Sequence, residues 1–242
     1  MSGLFYQLGR LAGPKIRKAR WAYLAATAPR QEVIAAEVKV GSDMVRALQD
    51  TIRFSQDESS NTIMHIGDSL AKCVGKNSRP FSFQCYIHDQ PQAFCLPGGI
   101  IFISNAMFEL CEQNPHRIAF VLAHEMAHVI EGHVMERMLK NALIKAVSRG
   151  GHFQAAATGT MGQIGIGFLE KAYSQENELR ADTLAARLSA TAGYDPAAGI
   201  DLFLALQPLE KESFLGGYFS THPACRVRIM QLRQFLRAFP DK

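Results

Sequence analysis

No Cys-x-x-Cys pair occurs in this sequence, and its cysteines number five, an odd count. That argues against a disulfide framework and against a cysteine-based metal site. Cys73, Cys85, Cys95, Cys111 and Cys225 are expected as reduced thiols in a cytosol-like compartment. A secretory signal is also missing, because Gln7, Gly9 and Arg10 break the first apolar stretch. Long hydrophobic runs are scarce. The longest uncharged stretch, 150–169, has the length of a membrane span, but six glycines, two glutamines, two threonines and a histidine dilute it. It reads as a mobile hairpin, with a membrane-dipping segment as the alternative. Acid is absent from residues 1–30, which carry Arg10, Lys15, Arg17, Lys18, Arg20 and Arg30. This basic arm either packs on the body or touches a membrane surface. The expected location is cytoplasmic, with membrane association through 1–30 or 150–169 as the further option.

What remains is ordinary globular material, 48% hydrophobic and 20% charged. A net charge of +4 is too small to imply a nucleic-acid partner. The length fits a single domain over 31–242 behind the arm. Residues 31–76 read mostly as helix, with Ile34, Val38, Val45, Leu48 and Ile52 near helical spacing. Phe81, Phe83, Cys85 and Ile87 alternate with polar residues and predict a strand. Strands are expected again at 92–96 and 100–104, around the Pro97-Gly98-Gly99 turn. A helix over 105–112 is followed by a long one over about 115–147. Another covers 170–191, a further one starts at Asp195-Pro196, and the last starts near Ser220 to Pro223. The fold class is α+β, mostly helical with a small sheet.

His124-Glu125-Met126-Ala127-His128 lies inside the long helix. Residues four apart share a helix face. His124 and His128 can therefore offer imidazole nitrogens to one zinc ion, with Glu125 about 100° round the helix and within reach of a water at the ion. The pentapeptide alone is a weak signal, and hydrogen-bonded core histidines are the alternative. Uncharged flanks strengthen the metal reading, because burying two histidines and a glutamate needs a reason. A third histidine ligand fails: position 134 is Val, and His133 would lie on the far side of a continuous helix. Downstream, Glu178 can complete a His, His, Glu set that leaves the fourth position to water. Asp182, one turn on, is placed to take a hydrogen bond from the outer nitrogen of a ligand histidine. Spacing alone leaves a solvated charged face as the alternative for 176–182.

The order HExxH, ExxAD, His-Pro…Arg-Ile resembles the zinc metallopeptidases that include the CAAX prenyl proteases, HtpX and the mitochondrial Oma-type protease. The resemblance covers residues 80–237 and is carried by FSFQCYIHDQPQAFCLPGGIIFISNAMF, VLAHEMAHVIEGH, SQENELRAD and STHPACRVRI. It implies a zincin-like core. His124, His128 and Glu178 would hold one Zn2+ per chain, Glu125 would act as general base and acid, and Asp182 would support a ligand. His222 and Arg228 are implied to line the site as catalytic groups. They would stabilise an oxyanion or tie the last helix to the metal helices, and in some relatives the matching histidine sits on the metal. Gly99, Ile100, Ile101, Phe102, Ile103 and Ser104 are expected as the edge strand that binds an extended polypeptide. Gln175 and Gln92 stand where the family commonly has Arg and Asn, and paired membrane spans are not evident.

The function expected is zinc-dependent endopeptidase action on unfolded or misfolded proteins. The alternative is a latent or inactive zinc-stabilised scaffold that grips peptides, with 150–169 or His222 closing the cleft.

Overall fold

The computed structural model describes residues 29–49, 52–75, 79–138, 172–209, 222 and 225–238. The expectations for the arm 1–28, for the segment 150–169 and for 139–147 lie outside the described residues.

The described residues open with α1 (Arg30–Leu48) and α2 (Glu58–Lys72). The mostly helical stretch expected over 31–76 thus holds two helices. The second starts where the Asp57 carboxylate caps the Ser60 amide. Strands β1 (Ser82–Tyr86), β2 (Ala93–Leu96) and β3 (Ile100–Ser104) follow. Then come α3 (Asn105–Leu110), α4 (Pro115–Ile130), α5 (Gln175–Thr191), α6 (Ala198–Leu206) and α7 (Cys225–Ala238). Among the described residues no helix is long and apolar enough to cross a membrane. All five cysteines are free thiols, four of them buried.

The sheet order is β1-β3-β2, with β1 parallel and β2 antiparallel to β3. This corrects the expected edge strand. Gly99 to Ser104 cannot be an edge, because β3 is hydrogen-bonded on both sides. Four of its five residues, Ile101, Phe102, Ile103 and Ser104, are buried. Such an unbroken buried run belongs to a strand covered on both faces. The sheet edges are β1 and β2. Residues 53–55 cover part of β1: Ser55 N–H donates to the Cys85 carbonyl at 3.0 Å and Ile87 N–H to the Arg53 carbonyl at 2.8 Å. β2 is the edge that packs against α4. The β2–β3 turn needs glycine. Gly98 has φ +82, and a Cβ there would stand 2.5 Å from the Val38 Cα of α1.

α4 is the central helix. Asn114 caps it by accepting from the amides of His116 and Arg117, and Pro115 occupies the first turn. Every residue from Ile118 to Val129 is buried. A helix apolar on all sides is a core helix. It does not run on to 147. It stops at Ile130, Gly132 takes φ +77, and the chain turns before residues 133–138 become helical again. α5 packs against α4, buries the small residues Ala181 and Ala185, and begins at the Ser174 cap rather than at 170.

Candidate active site

α4 and α5 bring the expected ligands together. His124 and His128 are one turn apart, and their Nε2 atoms lie 3.1 Å from each other. Glu178, in the first turn of α5, puts Oε1 3.3 Å from His128 Nε2 and Oε2 3.6 Å from His124 Nε2. His222 joins them: its Nδ1 lies 3.0 Å from Glu178 Oε1 and 3.3 Å from His124 Nε2. One donor atom from each of these four residues falls within 4.8 Å of the others, and all four residues are buried.

The outer atoms explain the orientation. Asp182 Oδ1 lies 2.9 Å from His124 Nδ1. Asp182 therefore accepts that N–H and leaves Nε2 as a lone pair facing the cluster. Arg228, fully buried in α7, grips Asp182 with two parallel bonds, from Nε at 2.8 Å and Nη2 at 2.7 Å. Its Nη1 also lies 3.0 Å from Glu178 Oε2. Arg228 thus holds two carboxylates from behind the cluster.

Charge states suit a cation. Burial pushes the His128 imidazole well below its usual pKa, so it is neutral. Burial alone would raise Glu178 and Asp182. The facing His222 and Arg228 outweigh it for Glu178, and Arg228 does so for Asp182, so both stay ionised. A neutral imidazole and an ionised carboxylate are the forms in which His128 and Glu178 bind metal. Glu125 is the remaining oddity. It is fully buried, and neither carboxylate oxygen has a hydrogen-bond partner among the described residues. His222 Nε2 is 3.4 Å from its Oε1. A buried, unsatisfied carboxylate beside a ligand set is costly in a purely structural role and suits proton transfer. The residues present therefore fit a metal-assisted hydrolytic site.

The cluster also contains what sequence reasoning missed. Tyr173 stacks on His128, ring centroids 3.8 Å apart and 12° from parallel. The Arg137 guanidinium lies over the Tyr173 ring at 3.8 Å. The Tyr173 hydroxyl lies 3.9 Å from Cys95 Sγ, and that thiol sits beside Glu125. Burial pushes both the thiol and the phenol well up, so both are neutral. The only signal for Tyr173 in the sequence is its place directly before the Ser174 cap. His133, expected on the far side of α4, instead places Nδ1 3.0 Å from His128 Nδ1. The chain turn at Gly132 brings it back.

The chain is similar to known metalloproteases. The family description "Peptidase family M48" matches residues 57–236. The chain is 30% identical over 172 residues to the "Mitochondrial metalloendopeptidase OMA1" of Arabidopsis thaliana, which covers 69% of this chain and 34% of that protein. It is 28% identical over 211 residues to the "Metalloprotease LoiP" of Escherichia coli, covering 84% of this chain and 82% of that one. A "Beta-barrel assembly-enhancing protease" of Escherichia coli is 28% identical over 179 residues, covering 68% of this chain and 36% of that one. The chain thus spans about a third of the first and third of these relatives and most of the second. The His124, His128, Glu178 cluster lies inside the matched region, and the chain belongs to peptidase family M48.

Proposed function

We propose that the chain is a zinc-dependent endopeptidase acting on unfolded or misfolded polypeptides. The observation that carries this reading is the fully buried Glu125 carboxylate beside three convergent metal donors. Two imidazoles and one carboxylate, with a further carboxylate beside them, match a catalytic zinc set. When bound, zinc lowers the pKa of a water towards ~7 and polarises a carbonyl. Glu125 takes the proton of the attacking water and returns it to the leaving amide nitrogen. Asp182 and Arg228 orient His124 and Glu178. Arg228 faces two carboxylates, Asp182 and Glu178, which favours a positioning role over oxyanion stabilisation.

The substrate rail moves from β3 to β2. Ser104 N–H donates to the Gln92 carbonyl at 2.9 Å. By antiparallel alternation Phe94 and Leu96 then bond to β3, while the backbone groups of Ala93 and Cys95 point to the outer edge. Cys95 is next to Glu125, so an extended peptide paired along β2 would run past the proton acceptor. The expected cytoplasmic location gains no support from the relatives, one of which is named as mitochondrial.

The test is metal content. Wild-type protein is expected to carry one zinc per chain. Glu178→Ala removes one of three ligands and is expected to lose most of it at the same free zinc concentration. Full retention in that variant would point to another third ligand.

A second reading concerns His222. Its Nδ1 already sits among the donors, and it is 1% exposed. That placement favours a closed, latent arrangement in which His222 takes the fourth position meant for water. His222→Ala is then expected to bind zinc more weakly and to cleave casein faster. Slower cleavage would make His222 a group the reaction needs.

A further inference from the structure

We propose that His133 and Tyr173 are positioning residues for His128, fixing the ring of this ligand as Asp182 fixes that of His124. This deepens the proposed function and rests on the reading of His128 as a ligand.

The two ligand histidines are held in different ways. The outer nitrogen of His124 meets a carboxylate, Asp182, at 2.9 Å. The outer nitrogen of His128 meets an imidazole, His133 Nδ1, at 3.0 Å. For His128 Nε2 to present a lone pair, its Nδ1 must carry the proton and donate it to His133. His133 then accepts at Nδ1 and carries its own proton on Nε2. His133 is 3% exposed, and that Nε2 has no partner among the described residues. An apolar side chain would fill the same space without an unsatisfied donor. The contact with His128 is the return for that cost.

Tyr173 fixes the remaining degree of freedom. The His133 contact sets the ring's direction but allows it to tilt about the contact axis. The nearly parallel Tyr173 ring, 12° from the imidazole plane, blocks that tilt from one side. Arg137 lies over the Tyr173 ring, and Tyr173 is 5% exposed. A buried cation over an aromatic ring is a strong restraint. His133 and Arg137 come from the turn and short helix after α4. Tyr173 comes from the residue before the α5 cap. The setting of His128 therefore depends on both ligand helices being docked.

The experiment measures zinc affinity of the full chain by chelator competition, together with the visible spectrum of the cobalt-substituted protein. The variants are His133→Leu, His133→Asn, Tyr173→Leu, Tyr173→Phe and His128→Ala. Asparagine keeps a polar atom where His133 Nδ1 lies, and phenylalanine keeps the stacked ring. His133→Leu and Tyr173→Leu are expected to bind zinc about 10- to 100-fold more weakly and to shift the cobalt bands, with Asn and Phe within about threefold of wild type. Melting of the metal-free proteins, which a ligand-orienting role does not govern, separates this from general loosening. Wild-type affinity in His133→Leu, or a His133→Asn as weak as His133→Leu, would overturn the proposal. Should His133→Leu fail to fold, the Tyr173 pair decides alone. Wild-type affinity in His128→Ala would instead sink the ligand assignment itself, a different outcome from loss in His128→Ala with retention in His133→Leu.

Discussion

Glu125→Gln is expected to keep its zinc and its fold while losing about 10²- to 10⁴-fold or more in turnover. The amide fills the same volume but cannot accept a proton. The effect is expected to be large, because among the described residues only His222, with Nε2 3.4 Å from Glu125 Oε1, also faces this position, and its Nδ1 is already turned to the metal donors. Tyr173 and Cys95 are held neutral by burial, so neither supplies a base. Asp182 is ionised but bound to Arg228 and His124. The amide is uncharged and of the same size, so it adds no burial cost at this fully buried position. The metal-free Glu125→Gln protein is therefore expected to melt at or above the wild-type temperature. Activity falling while stability holds or rises is the signature of a residue kept for chemistry. Wild-type turnover would remove Glu125 from the mechanism, and a large drop in melting temperature would make it structural.

The second large effect falls on stability. Arg228→Met is expected to destabilise the metal-free protein by about 3–5 kcal/mol in denaturant unfolding, the usual range for breaking a buried ion pair from one side. Arg228 is 1% exposed and faces two buried carboxylates, Asp182 and Glu178. Methionine leaves both without their cation. Arg228→Lys retains a charge but not the two-pronged grip on Asp182, so its loss should be intermediate. Zinc is expected to recover part of the stability in either variant, by binding the folded state only. A loss under about 1 kcal/mol in Arg228→Met would show that the carboxylates find other partners.

Much of the site was legible in the sequence because helix geometry is local. Four-residue spacing on a buried helix put His124 and His128 together, and the same spacing put Asp182 one turn beyond Glu178. Pairing α4 with α5 was not a local inference. The downstream ligand stayed open on spacing and was supported by the family resemblance. The span of β3 was read correctly as 100–104, but its place in the sheet was not. The edge position came from the family resemblance. The parallel pairing of β1 with β3 depends on the crossover through 87–92, which no period in the sequence reports. A clue was present: Ile100 to Ile103 is unbroken apolar sequence, the mark of a covered strand rather than a half-exposed edge.

The end of α4 was misjudged for a related reason. Val129, Ile130 and Val134 kept the apolar pattern going, and that outweighed Gly132, a typical residue just past a helix end. Drawing the helix through Gly132 placed His133 on the wrong side. The true turn puts it against His128. Tyr173 had no readable signal, since an aromatic residue before a helix cap has no rule that directs it onto a ligand ring.

The most direct test is hydrolysis of casein by the full chain in three states: zinc-loaded, stripped with a chelator, and reloaded. Cleavage at internal peptide bonds that disappears on stripping and returns with zinc is the predicted result. Cleavage undiminished in the stripped protein would contradict a metal-dependent site. No cleavage in any state, with one zinc bound per chain and His222→Ala equally inert, would contradict the peptidase reading and leave a zinc-stabilised peptide-binding protein.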